Sequence, residues 1–283
     1  MARATKKKVA KAARKADAPG SADRIFHSGR VYTVDGKRRW AEAVALKRGK
    51  IVAVGSDAAL RKWQGPRTQL HDLQGRMMMP GLVDVHNHHT RGGQLDLFEV
   101  SFTSAHSYDD ILKLVRGRAE QVPADEWICG GIWSSELIPR LQTMAAKAEL
   151  DAASLGRPVM LRDDSLHNRW VNSSALDIIG IGSETPDPDD GTIMREPGTG
   201  AAVGLLVEKA SALAERAVAS STRNAAKRDI ASTRRAVEIL NGYGVTAYQD
   251  ANTTLPMLKA LSALDSAGEL NACVSARCRP SAP

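Results

Sequence analysis

Polar and apolar positions divide the chain into a strand-rich opening stretch and a longer alternation of helices and strands. Between residues 23 and 73 the apolar runs are short and bounded by turn residues. Residues 41–46 and 51–55 flank a polar turn, 47–50, where Gly49 is free to take positive φ, so the two runs read as a hairpin. Residues 57–63 read as one or two helical turns, and 68–73 alternate as a strand. A buried strand over 82–85 follows the punctuation Pro80-Gly81, and Gly92-Gly93 reads as a loop. Ser107 stands where an N-cap belongs, before an apolar face of Ile111, Leu112, Leu114 and Val115. Residues 126–133 and 158–162 then read as strands, with a helix over 141–155 between them. The stretch 183–204 is rich in Gly, Pro, Asp and Thr and reads as a loop or small flap. Ile230, Thr233, Val237 and Leu240 mark the clearest helix, 222–241, which Gly242 and Gly244 stop. A strand over 245–251 and a helix over 254–268 precede an end that starts as a strand and dissolves into Arg, Cys and Pro.

This pattern predicts an α/β chain: a small all-β module over 22–76, then an alternating body over 77–283. With 283 residues, 43% of them hydrophobic, the chain is long enough for a sizeable core. No apolar run approaches the roughly 18 residues that span a membrane, so a soluble protein without a membrane partner is expected. Charge changes the picture at one end only. Six of the seven net positive charges lie in residues 1–21, where seven Lys and Arg face Asp17 alone. That segment reads as a disordered, solvated basic tail, a reading that outranks a nucleic-acid contact. The three cysteines, Cys129, Cys273 and Cys278, form no disulfide framework and suit a reducing, cytoplasmic setting.

Candidate chemistry gathers where the 82–85 strand ends in His86-Asn87-His88. Side chains in a strand alternate faces, so His86 and His88 point the same way and can grip one divalent cation, with zinc the default for nitrogen-rich ligation. Asn87 and His89 then face the opposite way. Asp250 closes the 245–251 strand and is a candidate for lining a substrate pocket.

The string from Met79 through Pro80, Gly81, Leu82, Val83, Asp84 and Val85 to His86-Asn87-His88 resembles the first-strand signature of the amidohydrolase superfamily. His167, Trp170, Asn172, Ala175 and Leu176 resemble the His-x-x-Trp-x-Asn-x-x-Ala-Leu signature of its amidohydrolase 3 branch, which includes N-substituted formamide deformylases. Gly204, Leu206 and Glu208 meet a Gly-x-Leu-x-Glu pattern of the same branch, whereas Trp133-Ser134 departs from its usual Trp-Asp. The resemblance implies a TIM-like (β/α) barrel preceded by part of a β-sandwich. It also implies that His86 and His88 bind a catalytic metal, that Glu208 completes or bridges it, and that His167 contacts substrate. The implied activity is hydrolysis of a non-peptide C–N bond, amide or formamide in type, in a small molecule through a metal-activated water.

By the same pattern, two further histidines and an aspartate base on later strands complete the site, and all fall beyond residue 283. No histidine follows His167. From residue 78 onward about five strands are legible where a closed barrel needs eight. The expectation is a C-terminally truncated barrel, the product of a frameshift or early stop, with its base absent and its activity impaired. Alternatives are a non-catalytic fragment, one half of a split hydrolase completed by a C-terminal chain, a homo-oligomer, and a nucleic-acid-binding protein that uses the basic tail as an arm.

Overall fold

The computed structural model describes residues 20–278, and the chain divides into two units at Leu82 and Val83. The expected basic tail, 1–21, lies outside the described residues except for Gly20 and Ser21. Ser21 and Ala22 are buried.

In the first unit, strand Arg24–His27 pairs antiparallel with Ala43–Lys47 and parallel with Gln69–Asp72. Lys50–Gly55 adds to Ala43–Lys47 through the expected hairpin. Its two central residues, Arg48 and Gly49, take φ of 49° and 72°, the left-handed pair that matches the strands' twist. Ser56 caps helix Asp57–Leu60 by accepting the Ala59 N–H at 3.2 Å. Ile25, Ala43, Ala45 and Leu60 form the core there. Strands Trp40–Ala41, Arg30–Tyr32 and Met77–Met78 make a separate three-stranded sheet.

Among the described residues the second unit holds two sheets. Leu82–Asn87, which holds His86 and ends one residue before His88, shares a three-stranded sheet with Val245–Thr253 and Cys273–Cys278. The latter two run parallel, with Tyr248 opposite Val274. Ile128–Trp133 and Val159–Asp163 belong to a different, five-stranded sheet. Within it only those two strands are parallel; Val159–Asp163, Arg169–Val171, Ala202–Glu208 and Gly191–Arg195 follow one another antiparallel. The reason is connection length. Residues 164–168 and 196–201 are too short for a parallel crossover and return the chain beside itself. Gly191–Arg195 therefore crosses the stretch expected to be a loop.

Gly92 and Gly93 also depart from expectation. They lie inside helix His89–Phe98. A Cβ on Gly93 would stand 1.8 Å from the Ser232 carbonyl oxygen, so the glycine lets this helix press against helix Ala225–Gly242. Helix Tyr108–Ala119 starts as expected, with Ser107 accepting the Asp110 N–H at 3.2 Å. Trp133, Leu161, Trp170 and Leu205 from the five-stranded sheet pack with Ile111 and Leu150 from helices Tyr108–Ala119 and Met144–Ser154.

Candidate active site

The end of strand Leu82–Asn87 is shaped by a local turn. The Asp84 carboxylate accepts the His86 backbone N–H at 3.0 Å and the Asn87 side-chain amide at 2.7 Å. These bonds, the Asn87 one foremost, hold the Asp84 carboxyl below its usual range. His86 and His88 project beside one another with ring centroids 5.2 Å apart and planes nearly perpendicular. Both are exposed. Neither imidazole makes a hydrogen bond within the described residues, so both keep a ring nitrogen free for a metal ion. Among the described residues no third His, Cys, Asp or Glu joins them.

His89 leaves this surface. It is 2% exposed, and its Nδ1 lies 2.6 Å from Asp250 Oδ2 on strand Val245–Thr253. Its Nε2 is 3.0 Å from the Thr90 hydroxyl, which lies 3.3 Å from that of Thr233. Burial pushes the His89 imidazole down, and the Asp250 carboxylate offsets only part of the shift. Burial pushes the Asp250 carboxyl up, but the Asn252 backbone N–H and the His89 bond outweigh it, leaving it below its usual value. Asp250, expected to face a substrate pocket, is instead 1% exposed. Its Oδ1 accepts Asn252 N–H at 2.9 Å and the Thr253 hydroxyl at 3.1 Å, so both oxygens are engaged.

Glu208, expected beside the histidine pair, instead meets His167. The His167 Nδ1 to Glu208 Oε2 distance is 2.8 Å, and both side chains are exposed. The two residues are 41 positions apart and come together because strands Arg169–Val171 and Ala202–Glu208 pair. Glu208 has φ of 52° and Leu166 has φ of 65°, left-handed values costly for side-chain-bearing residues and often retained at functional sites. Asp163 braces the turn, accepting the Asn168 backbone N–H at 3.0 Å and its side-chain amide at 2.7 Å. Asn168 Oδ1 in turn accepts the Glu208 N–H at 3.4 Å. The structure thus assembles two pairs from the sequence candidates, His86 with His88 and His167 with Glu208. It adds His89–Asp250, for which the opposite strand parity of His89 was the available signal.

Residues 69–277 match the Amidohydrolase family, and the chain belongs to that family, in its amidohydrolase 3 branch. N-substituted formamide deformylase of Arthrobacter pascens is 31% identical over 256 residues, which are 88% of this chain and 46% of that protein. Protein LONG AFTER FAR-RED 3 of Arabidopsis thaliana is 33% identical over 192 residues, 68% of this chain and 32% of that protein. The chain therefore spans half or less of the length of these relatives. A crystal structure of an uncharacterized metal-dependent hydrolase from Pyrococcus furiosus has a TM-score of 0.68 at 22% identity. That match covers 90% of this chain and 50% of the other, and it carries the fold.

Proposed function

We propose that this chain belongs to a metal-dependent amidohydrolase that cleaves a C–N bond of amide or formamide type in a small molecule. The observation that carries the reading is the exposed, unpaired His86/His88 couple at a strand end. A divalent metal ion, zinc by the chemistry of two imidazole donors, supplies Lewis acidity and lowers the pKa of water when bound there. His86 and His88 hold it. Asp84 and Asn87 fix the turn that aims both rings outward. His89, anchored to Asp250, locks the following helix against the neighbouring strand. His167 presents Nε2 to solvent while Glu208 orients the ring, which suits a hydrogen bond to a substrate carbonyl or leaving nitrogen. The three-stranded sheet with His86 at its edge strand is read as the start of a (β/α) barrel, and the reduced cysteines as signs of a cytoplasmic setting.

A second reading draws on the two-donor site. Two imidazoles leave a metal's remaining positions to other groups, and the described residues offer none nearby. Further donors and a proton-accepting base then come from additional polypeptide, either a partner chain or a second copy. The test is metal content of the purified chain by elemental analysis, with His86→Ala/His88→Ala alongside. Zinc near one per chain, lost in the double variant while circular dichroism stays unchanged, is the expected result. Equal metal in both proteins rejects the assignment of the pair.

A further inference from the structure

Among the described residues, a cavity of about 380 Å³ lies between helix His89–Phe98, the start of strand Ile128–Trp133 and helix Ala225–Gly242. His86, His88, His167 and Glu208 are not part of its lining. Most charges around it are paired. Glu99 takes Arg162 through two bonds of 2.6 and 2.9 Å and the Gln94 amide at 3.0 Å. Glu215 takes Arg169 at 2.8 Å, Asp125 takes Arg223 at 2.8 Å, and Glu126 takes Arg228. Two groups on the lining remain. The side chains of Arg91 and Asp229, on different helices, have no hydrogen bond or direct ion pair within the described residues. Behind them the buried Arg162 Nε also lacks a hydrogen bond, with the Glu215 carboxylate 4.0 Å away.

A half-buried guanidinium whose N–H groups have no hydrogen-bonded acceptor is costly, and Arg162 nearby makes it more so. Burial, followed by repulsion from Arg162, pushes Arg91 down against a smaller pull from the Glu99 and Glu215 carboxylates, while burial pushes the Asp229 carboxyl up against a smaller opposing pull from Arg228. Each unpaired group is a place where an opposite charge is stabilised.

We propose that this cavity binds a small zwitterion of the α-amino acid type, its carboxylate on Arg91 and its ammonium on Asp229. The planar guanidinium fork matches a carboxylate through two parallel bonds. Phe98, Trp127 and Met257 on the lining offer apolar surface to a short aliphatic side chain. The volume lies near the lower end for small-ligand pockets, about 300 Å³, so the ligand is small.

The experiment is calorimetric titration of the full chain with leucine, with 4-methylpentanoate, which lacks the amine, and with 3-methylbutylamine, which lacks the carboxylate. Saturable leucine binding, at least about tenfold tighter than either half-ligand, is expected. Arg91→Met weakens leucine by about tenfold or more, and Asp229→Asn weakens leucine while leaving 4-methylpentanoate unchanged. Arg91→Met without ligand melts no lower than the parent, because it removes an unpaired charge; a purely structural arginine gives the opposite shift. If Arg91→Met lacks a cooperative melt, Arg91→Lys serves, keeping the charge and losing the fork, with the same direction expected. No saturable leucine heat up to roughly 10 mM overturns the proposal, as does unchanged leucine affinity in the Arg91 variant. Equal binding of leucine and 4-methylpentanoate overturns the role of Asp229.

Discussion

His89 and Asp250 illustrate how much one strand position decides. His88 is exposed, while its neighbour is buried against a carboxylate 161 residues away. Removing that carboxylate leaves the His89 ring and the Asn252 N–H without an acceptor. Asp250→Ala is therefore expected to cost roughly 3 kcal/mol, read from the midpoint of urea denaturation. Cys129 makes a second prediction at this scale. Burial pushes its thiol up to about 12, against an ordinary value of 9.0. The folded chain thus holds a proton that the unfolded chain releases earlier. Its contribution to stability is complete below pH 9.0 and is lost as pH rises from there toward about 12, which melting curves across that window report. Cys129 is also expected to react with a thiol reagent only after unfolding, whereas the exposed Cys273 reacts in the native state.

Among elements, those that rest on neighbouring residues were legible. The 47–50 turn, the Ser107 cap and the helix around Val237 follow from glycine, a short hydroxyl side chain and helical spacing. Helix His89–Phe98 was not legible. Each glycine in a helix costs about 1 kcal/mol relative to alanine, so Gly92-Gly93 read as a break. The compensation is non-local: at Gly93 the missing side chain admits the backbone of Ser232. Gly93→Ala is accordingly expected to destabilise the protein by about 1–3 kcal/mol through forced separation of the two helices. At Gly92, where an added Cβ meets nothing within 4 Å, alanine is expected to be neutral or stabilising in the same thermal melts. The strand Gly191–Arg195 escaped notice for a related reason, since its flanks are Gly, Pro and Asp and its partner lies beyond the next turn.

At the scale of the whole molecule, the strand with the histidine pair stands at one side of a three-stranded sheet, and Val83 and Val85 on it are 65% and 74% exposed. An apolar, open strand edge invites association with other chains. Val85→Lys is expected to raise the concentration at which the chain stays monomeric, as light scattering measures; an unchanged or lower limit counts against an exposed edge. The family match over 69–277 covers both sheets of the second unit, so the motif residues His86, His88, His167 and Glu208 all lie within it.

Local sequence alone marked the end of the apolar strand at His86-Asn87-His88, although the strand stops at Asn87 and His88 opens the following helix. It likewise determined the module of short strands near the start, the main helices and their caps, and the motif residues that carry the family. Tertiary structure decided the partners. It split strands of similar appearance between two sheets, brought Glu208 to His167, buried Asp250 against His89, and left Arg91 and Asp229 unpaired around one cavity. Periodicity reports which face of an element is apolar. Which strand lies alongside, and which charge finds a counter-charge, depends on connection lengths and packing between residues far apart in the chain.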